Sequence, residues 1–387
     1  MEELIERFRK LMETFSFLDK YKGIKINSKE DISRIPVSDR DDLADYDISM
    51  CPERPIEVFA TSGTTKERIF VYISKIALKK MINRMGRIYA KLNIKNRRII
   101  SLIGYGNLTA ITDIIDAATI EHNNLIIPLG NHYKKQYLTK AIKKLNPDVV
   151  IGYTNEIYSF FEKAGKKNNI KKYLAGGELI LDEHRRFVNK FGKIDIYSLY
   201  ACNEVMTIAI QINPKNRKHL VLEGIYTEVI KKNGEISEEG EGELLITDLY
   251  NLSMPIIRYK LGDWVKLEKK GREKYITIYG RTGDVINLHG VLISKTKIIE
   301  KTMNILHHPE FFFIVRKNEK TAEDIIKLSI PKEDIDKEKQ LYDELDSIIG
   351  RFKVVGTKLK APRGNTGKVI NFVDLRGKRL EKKWLSF

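Results

Sequence analysis

The chain has 387 residues, of which 42% are hydrophobic and 31% charged, and its formal net charge at pH 7 is +17. This length exceeds one ordinary domain and predicts two or three domains, each able to bury a core. The composition excludes extended disorder and a fibrous repeat, and the lack of any run of about 18 apolar residues predicts no membrane span.

Two features of the sequence bear on the compartment. The N-terminus is acidic and helix-like, without the basic and apolar regions of a signal peptide. The two cysteines, Cys51 and Cys202, are too few for a disulfide framework or a structural zinc site, which agrees with a reducing interior. We therefore expect a cytoplasmic protein without a membrane partner, and we leave open whether it is a monomer or a homodimer.

The positive charge alone is compatible with nucleic acid, an anionic surface or an anionic substrate as partner. Basic residues, however, are spread along the chain among acids, and the short clusters at 166–172 and 376–383 contain no nucleic-acid-binding motif. Solvated helix faces, with attraction of polyphosphates as a by-product, explain the charge better. We do not expect nucleic acid to be the main partner.

Up to about residue 219, the sequence predicts the α/β layers of a large N-terminal domain. Ile5, Phe8 and Leu11 recur at helical spacing, and the segment 36–39 begins another short helix. From residue 56 onward, strand and helix candidates alternate, which favours parallel βαβ units with helices on both faces and ligands bound beyond the carboxyl ends of the strands. The strand candidates are 98–104, 125–129, 149–153, 173–175 and 194–199, and the helix candidates lie near 77–93, 110–122, 132–146, 154–168 and 182–191.

The pattern changes twice after residue 219. Consecutive short strands without helices predict an antiparallel subdomain over 220–283, with strands at 220–230, 243–248, 256–259, 264–267 and 274–279. Beyond it, alternating elements predict a small α+β domain, with strands at 285–288, 311–316, 324–330 and 352–358 and helices at 295–306 and 333–349. We place the domain boundary at Gly283 and Asp284, so the predicted domains are 1–283 and 284–387.

A polar loop between the apolar segments 58–59 and 69–73 is the first candidate site. It contains Thr61, Ser62, Gly63, Thr64, Thr65 and Lys66. The glycine lets the backbone fold back, so that amides and hydroxyls converge on one concavity suited to phosphate oxygens. On its own, the loop is equally typical of a Ser/Thr-rich hairpin turn.

Five further segments follow along the chain and decide between a phosphate-binding loop and a plain hairpin turn. They are Ala-Gly-Gly-Glu at 175–178, Tyr-Ala-Cys-Asn-Glu at 200–204, the pair 242–247 and 254–263, Gly-Arg-Thr-Gly-Asp at 280–284, and Pro-Arg-Gly-Asn-Thr-Gly-Lys-Val at 362–369. Together with the loop they resemble the motifs of the adenylate-forming superfamily of acyl-CoA synthetases, and most of all its phenylacetate-CoA ligase and coenzyme F390 synthetase branch. The resemblance extends over almost the whole chain.

The resemblance implies that the loop at 61–66 holds the ATP phosphates, with Lys66 adding a cation where the family usually has glycine. It implies that Gly177 and Glu178 pack against the adenine. The ring of Tyr200 would stack on adenine, and Glu204 would help to hold Mg²⁺, which prefers oxygen ligands together with substrate phosphates. Ala201 and Asn203 stand near the α-phosphate, where the family usually has a glycine and a hydroxyl residue.

The later motifs imply further roles. Asp263 would accept hydrogen bonds from the ribose hydroxyls. Arg258 is either a salt-bridge partner or, as the resemblance implies, a residue close to the nucleotide. Arg281 would be a second ribose or phosphate contact, and Gly283 with Asp284 would form the hinge of a mobile C-terminal lid. Lys368 corresponds to the catalytic lysine, which neutralises negative charge in the transition state.

Weaker candidates complete the list. Tyr105 and Leu108 follow a strand and resemble residues that line the acid pocket of the ligase branch, although a plain surface turn explains them equally well. His307 and His308 lack a third ligand at metal-binding spacing, so we expect surface residues. Cys202 has no histidine paired with it in sequence, so we expect a packing role.

The implied activity is ATP-dependent activation of a carboxylic acid as an acyl adenylate, with release of pyrophosphate and subsequent thioester formation with coenzyme A. ATP, Mg²⁺, the acid and coenzyme A are therefore the expected cofactors and partners. Two alternatives remain open: an adenylyltransferase that joins AMP to an acceptor, as in the F390 synthetase branch, and a non-catalytic nucleotide-binding homologue.

Overall fold

The computed structural model describes residues 1–61, 68–104, 111–130, 133–282, 284–288, 291–318, 324–363 and 369–376. Its α-helices are α1 Glu2–Thr14, α2 Asp41–Ala44, α3 Lys75–Lys91, α4 Ile111–Glu121, α5 Lys135–Leu145, α6 Ile157–Ala164, α7 Asp182–Asn189, α8 Lys295–Leu306 and α9 Glu338–Ile349. None of these described helices combines the length and the apolar character needed to cross a membrane.

The strands of the same residues fall into four sheets. They are β1 Glu57–Ala60, β2 Phe70–Ile73, β3 Arg98–Ser101, β4 Leu125–Pro128, β5 Val149–Tyr153, β6 Lys172–Gly176, β7 Asp195–Cys202, β8 Met206–Gln211, β9 Lys218–Val221, β10 Ile225–Ile230, β11 Ile236–Ser237, β12 Gly240–Asp248, β13 Tyr259–Lys270, β14 Glu273–Arg281, β15 Val285–Leu288, β16 Val291–Ser294, β17 Phe312–Lys317, β18 Asp324–Pro331, β19 Lys353–Thr357 and β20 Phe372–Asp374.

The chain divides into two compact units. The first comprises residues 1–180 and 188–280, and the second comprises 181–187 and 281–387. The first unit is built on a 12-stranded sheet with the order β11-β10-β12-β13-β14-β9-β8-β7-β6-β5-β3-β4. Strands β3 to β7 pair in parallel, whereas β8 returns antiparallel to β7 and begins the antiparallel half.

The parallel half of this sheet owes its stability to burial. The middle of β5 is buried at Val149, Val150 and Ile151, a continuous apolar run that is typical of strands covered on both faces. Helix α3 packs against α4, and α5 packs against α6, as expected for βαβ crossovers. The mixed α/β class and the order of elements predicted for this half are confirmed.

Two strand predictions for the antiparallel half were wrong. The strand predicted at 220–230 is two strands, β9 and β10, because the chain turns at Gly224, whose φ of +86° favours glycine. The strands predicted at 256–259 and 264–267 are one element, β13, which begins at Tyr259. The short strand β11 was not predicted. The strands of the predicted antiparallel subdomain share one sheet with the parallel strands.

The N-terminal segment covers one end of the sheet. Phe8, Leu11 and Phe15 lie at helical spacing on or just after α1, are fully buried, and belong to one apolar cluster with Tyr226 and Ile257. The ring of Phe8 meets that of Tyr226 edge to face, with centroids 5.2 Å apart. The first residues therefore pack as a cover on this end of the sheet.

The second unit contains a four-stranded sheet with the order β19-β18-β17-β20 and the helices α8 and α9. Helix α8 begins where predicted, because the hydroxyl of Ser294 accepts the amide of Lys297 as an N-cap. The sequence missed β16 and β20. Both are four residues or shorter, and each depends on pairing with another strand, β15 or β17 respectively.

Candidate active site

The base of the polar loop is fixed by a small hairpin. β1 and β2 pair antiparallel, with Ala60 opposite Phe70. Beyond them, the amide of Thr61 donates to the carbonyl of Ile69 at 3.0 Å, and the amide of Ile69 donates to the hydroxyl of Thr61 at 3.0 Å. Arg40 lies 3.4 Å from the same hydroxyl. The loop thus begins from a rigid base, while Ser62, Gly63, Thr64, Thr65 and Lys66 lie outside the described residues.

The motif at 200–204 occupies the end of β7. The pairing of β7 with β8 shifts register between Tyr200 and Ala201, which is a β-bulge, and bulges re-aim the side chains beside them. The side-chain amide of Asn203 donates to the carbonyl of Ala60 at 2.5 Å. This hydrogen bond joins the third predicted motif directly to the base of the phosphate loop.

Asp263 is brought to the same place by a second irregularity. In the pairing of β12 with β13, Glu243 is opposite Trp264 and Leu245 is opposite Lys260. One residue of β12 therefore faces three residues of β13, and Asp263 is one of these three. Gly262 in this stretch has φ +77° and allows the bend. The hydroxyl of Tyr200 donates to Oδ2 of Asp263 at 2.5 Å. Residues separated by 63 positions thus form one contact, which places the predicted adenine and ribose residues side by side.

Glu204 follows in the turn between β7 and β8 and is half-buried. Tyr259 donates to its Oε1 at 3.4 Å, and both burial and the Glu204 charge raise the pKa of Tyr259. The turn itself is held from behind, because Nη2 of the buried Arg84 donates to the carbonyl of Val205 at 3.0 Å. A carboxylate positioned in this way fits Mg²⁺, which one or two carboxylates and the phosphates of a substrate hold.

The segment 176–178 lies at the same edge of the sheet. β6 pairs in parallel with β7, Ala175 being opposite Ser198, so the residues after Ala175 run beside those after Ser198. Gly177 has φ +91° and forms the predicted tight turn. The hydroxyl of Thr154 donates to the carbonyls of Gly176 and Glu178, at 3.2 and 3.0 Å, and fixes the turn. Its role against adenine stays a prediction.

Arg258 does not face this site. Its side chain is 2% exposed, and its guanidinium donates to both carboxylate oxygens of Glu228, at 2.9 and 3.0 Å. It also donates to the carbonyls of Ser33 and Ile35. Of the two interpretations open at the sequence level, the salt bridge is confirmed. Arg258 fastens the N-terminal segment to the start of β13 instead of contacting the nucleotide.

The remaining described candidates belong to the second unit. Arg281 ends β14 and is exposed. Asp284 accepts hydrogen bonds through Oδ2 from the amide of Thr296, at 3.1 Å, and from its hydroxyl. These bonds tie the residue to the first turn of α8. The nucleotide contact of Arg281 and the hinge at Gly283 and Asp284 stay predictions.

The expectation that His307 and His308 are surface residues is half right. The side chain of His307 is 52% exposed and its Nδ1 lies 3.1 Å from Glu183. His308 is 28% exposed and bonds Asp334 at 2.7 Å, so it is a structural partner within the second unit. Among the described residues, no group of three or more His, Cys, Asp or Glu could hold a metal ion.

Burial raises the pKa of the Cys202 thiol well above its usual range, which disfavours the thiolate and agrees with a packing role. Four other predicted site residues lie outside the described part of the chain: Tyr105, Leu108, Gly283 and Lys368.

Three residues of the site were missed from the sequence. Arg40 supports the base of the loop, and Arg84 supports the 203–205 turn. Both come from distant segments, and no local sequence pattern identifies either of them. Tyr259 was detectable, because it lies inside the 254–263 motif, immediately after Arg258.

Two known proteins resemble this chain in sequence. The chain is 26% identical over 304 residues to a phenylacetate-coenzyme A ligase of Pseudomonas putida, covering 74% of this chain and 69% of that enzyme. It is 23% identical over 289 residues to an indoleacetate–lysine synthetase of Pseudomonas savastanoi, covering 70% and 69% respectively. No protein-family model matches the chain.

Among solved structures, the chain superimposes on 2-hydroxyisobutyryl-CoA ligase in the postadenylation state, in complex with 2-HIB-AMP. The TM-score is 0.79 at 16% identity, covering 96% of this chain and 89% of that one. The same ligase has also been solved with 2-HIB-AMP and CoA in the thioesterification state. The chain therefore has the fold of the acyl-CoA ligases of the adenylate-forming superfamily and resembles named CoA ligases in sequence.

More particularly, the chain is a homologue of the phenylacetate-coenzyme A ligases within the acyl-CoA ligases of that superfamily. The resemblance predicted from the sequence is confirmed.

Proposed function

We propose that this protein activates a carboxylic acid with ATP, releases pyrophosphate and transfers the acyl group from the adenylate to coenzyme A. The observation that carries the proposal is the convergence of three motif segments in the first unit. Tyr200 contacts Asp263, and Asn203 contacts the carbonyl that precedes the phosphate loop. Segments so far apart in the chain meet where the nucleotide of an adenylate-forming enzyme is expected to lie.

We propose the following roles for the residues of this site. Asp263 accepts from the ribose hydroxyls through the carboxylate oxygen that Tyr200 leaves available, while the ring of Tyr200 lies beside the base. The loop after Thr61 grips the β- and γ-phosphates. Glu204 holds Mg²⁺, which when bound supplies charge neutralisation for the triphosphate. Lys368 stabilises the negative charge that develops between the acid and the α-phosphate.

The acyl adenylate forms when a carboxylate oxygen attacks the α-phosphorus and the bond to the pyrophosphate breaks. The thiol of coenzyme A then adds to the acyl carbon and AMP leaves, with the thiol proton passing to solvent. We propose that the second unit turns about Gly283 and Asp284 between these steps, so that Lys368 serves only the first one.

A screen of pyrophosphate release over aryl, fatty and amino acids, with and without coenzyme A, tests the proposal. We expect release that depends on one class of acid, and AMP formation that increases when coenzyme A is added. Bound ATP with no acid-dependent release from any class would overturn it and favour a non-catalytic nucleotide-binding protein.

A second candidate function is transfer of the acyl group to an amine. The similarity to an indoleacetate–lysine synthetase supports it. The same screen distinguishes the two functions when lysine and other amines replace coenzyme A. AMP formation that depends on an amine and not on the thiol would assign the second function.

A further inference from the structure

A buried ion pair lies behind the turn that carries Glu204. It consists of Arg84 in α3 and Asp248 at the end of β12, and both residues are 2% exposed. Nη2 of Arg84 lies 3.9 Å from Oδ2 of Asp248, a separation at which the charges attract but which is too long for a hydrogen bond. Within the part of the chain that the structure describes, Nε and Nη1 of Arg84 and Oδ2 of Asp248 have no hydrogen-bond partner.

This pair is a poor source of stability. Burial disfavours the charged form of both groups, so it lowers the pKa of Arg84 and raises the pKa of Asp248. Removing two charges from water costs more free energy than their attraction provides, unless their remaining donors and acceptors are satisfied. Apolar side chains of similar volume are often at least as stable in such a place. A role in positioning other groups explains the pair better than a role in stability.

The arginine of the pair holds a strained turn. Its Nη2 donates to the carbonyl of Val205 at 3.0 Å, immediately after Glu204. The next residue, Met206, is buried and has φ +60°. A side chain other than glycine in this left-handed region costs free energy and persists only where the surroundings hold it. The carbonyl that Arg84 binds belongs to the peptide group between Val205 and Met206, so Arg84 holds the strained part of the turn.

The aspartate of the pair is linked to the hairpin from which the phosphate loop begins. Oδ1 of Asp248 accepts hydrogen bonds from the amides of Tyr250 and Asn251, at 2.9 and 3.2 Å. The buried side chain of Asn251 donates to the carbonyl of Tyr72 at 2.9 Å and accepts the amide of Ser74 at 3.2 Å. Tyr72 belongs to β2, which pairs with β1 at the base of the loop.

Helix α3 closes this chain of contacts. The hydroxyl of Ser74 accepts the amide of Ala77 at 3.3 Å and caps the helix, so Asn251 fixes the point where α3 begins. Arg84 lies further along the same helix and faces Asp248. We call Arg84, Asp248 and Asn251 the polar link. Through it, the Glu204 turn and the β1–β2 hairpin are attached to the same buried groups.

We propose that Arg84 and Asp248 are positioning residues, which hold the Glu204 turn and fix it to the hairpin of the phosphate loop. This inference rests on the proposed function, because it takes Glu204 as the carboxylate for Mg²⁺. A carboxylate and the phosphates of the substrate hold this ion together, so the turn and the loop must keep a fixed separation. Groups that orient a metal ligand affect metal affinity by about 10- to 100-fold.

Calorimetric titration of the full chain with ATP tests the proposal without requiring turnover. The measured quantity is the ratio of the Kd for ATP in EDTA to the Kd in excess Mg²⁺, which we call the metal ratio. The test variant is Arg84→Gln with Asp248→Asn. It neutralises both members of the pair and leaves no uncompensated buried charge.

The matched control is Arg97→Gln with Asp148→Asn. Asp148 is also buried, accepts the amide of Arg98 through Oδ1 and lies 3.7 Å from Arg97 through Oδ2. It immediately precedes β5, at the amino ends of the parallel strands, whereas the candidate site lies beyond their carboxyl ends. The control therefore removes a similar pair at the other end of the sheet.

We expect the metal ratio to fall at least about tenfold in the test variant and to remain unchanged in the control. Arg84→Lys keeps a charged donor for the carbonyl of Val205, so it should retain most of the metal ratio. An unchanged ratio in the test variant would overturn the positioning role. Falls of equal size in the control or in Arg84→Lys would also overturn it, because they would show only a general loss of packing.

Urea unfolding shows whether each variant is folded. If the test variant has no cooperative transition, Asp248→Asn alone replaces it, because asparagine keeps an acceptor for the amides of Tyr250 and Asn251. The same outcomes then apply. The proposed function fails by a different result, namely absence of acid-dependent pyrophosphate release in the unaltered chain. A metal ratio of one in the unaltered chain would overturn the positioning role together with the role of Glu204.

Discussion

The phenol of Tyr200 donates a 2.5 Å hydrogen bond to Oδ2 of Asp263, and this contact joins two β-bulges of one sheet. Tyr200 lies opposite the extra residue of β8, and Asp263 lies among the extra residues of β13, so both side chains sit at positions where the ladder is re-aimed. The contact explains why the adenine and ribose motifs, although distant in sequence, can serve one ligand.

Replacing Tyr200 with Phe should weaken ATP use while keeping the aromatic ring. A hydrogen bond to a charged group contributes about 1.5–3 kcal/mol, so we expect kcat/KM for ATP to fall by roughly 10- to 150-fold. Steady-state pyrophosphate release at varied ATP concentration measures kcat/KM. Tyr137→Phe, an exposed tyrosine of α5, is the control and should retain the rate. A Tyr200→Phe enzyme with the rate of the control would show that the contact is not used.

Replacing Glu204 with Gln removes the charge that we propose for Mg²⁺. We expect pyrophosphate release to fall at least about 100-fold, an effect of roughly 3 kcal/mol, and the Mg²⁺ concentration for half-maximal rate to rise. A magnesium titration at fixed ATP measures both. Glu223→Gln, which changes a half-exposed carboxylate paired with Arg87, serves as the control. An unchanged magnesium dependence would assign the metal to another residue.

Replacing Arg258 with Met should act on stability instead of nucleotide binding. Breaking a buried ion pair by removing one partner costs about 3–5 kcal/mol, because Glu228 is left as an uncompensated buried charge. Urea unfolding measures the loss, and the double replacement with Glu228→Leu should recover part of it. A raised KM for ATP with unchanged stability would instead support a nucleotide contact.

Glu156 should make stability depend on pH. Burial raises the pKa of its carboxyl to about 7 from the usual 4.5. Because the folded state holds this proton more tightly than the unfolded state, stability should fall as the pH rises through the range 4.5 to 7. The difference amounts to about 3 kcal/mol.

A Glu156→Gln variant should flatten this dependence and be the more stable protein at pH 8. Urea unfolding at pH 5 and pH 8 measures the free energy of unfolding of each protein. The control is Glu162→Gln, at an exposed position of α6, whose pH dependence should follow that of the unaltered chain. Equal slopes of stability against pH in all three proteins would rule out Glu156 as the source.

Elements whose stability is local were predictable from the sequence. Helix α8 has its own N-cap at Ser294, and β5 is a continuous apolar run, so both were located within their observed bounds. Elements that depend on a partner were not predictable: β20 has only three residues and forms by pairing with β17. The continuation of the parallel strands into the antiparallel ones at β7 and β8 is likewise a property of the tertiary structure.

The candidate site shows the same division. The motif residues Tyr200, Glu204 and Asp263 were identified from short segments with a family order. The residues that hold these segments in place, Arg40 and Arg84, come from elsewhere in the chain and act through single hydrogen bonds to Thr61 and to a carbonyl. Sequence patterns identify groups with a chemical role better than the contacts that position them.

The central claim is that an acyl adenylate forms on this protein, and its direct test is mass-spectrometric detection of that adenylate. The enzyme is incubated with ATP, Mg²⁺ and the preferred acid from the screen, without coenzyme A. We predict a species with the mass of the acid plus AMP less one water, absent from a Lys368→Ala variant that still binds ATP. An adenylate that forms equally in that variant would contradict the role of Lys368, and its absence from the unaltered enzyme would contradict the claim itself.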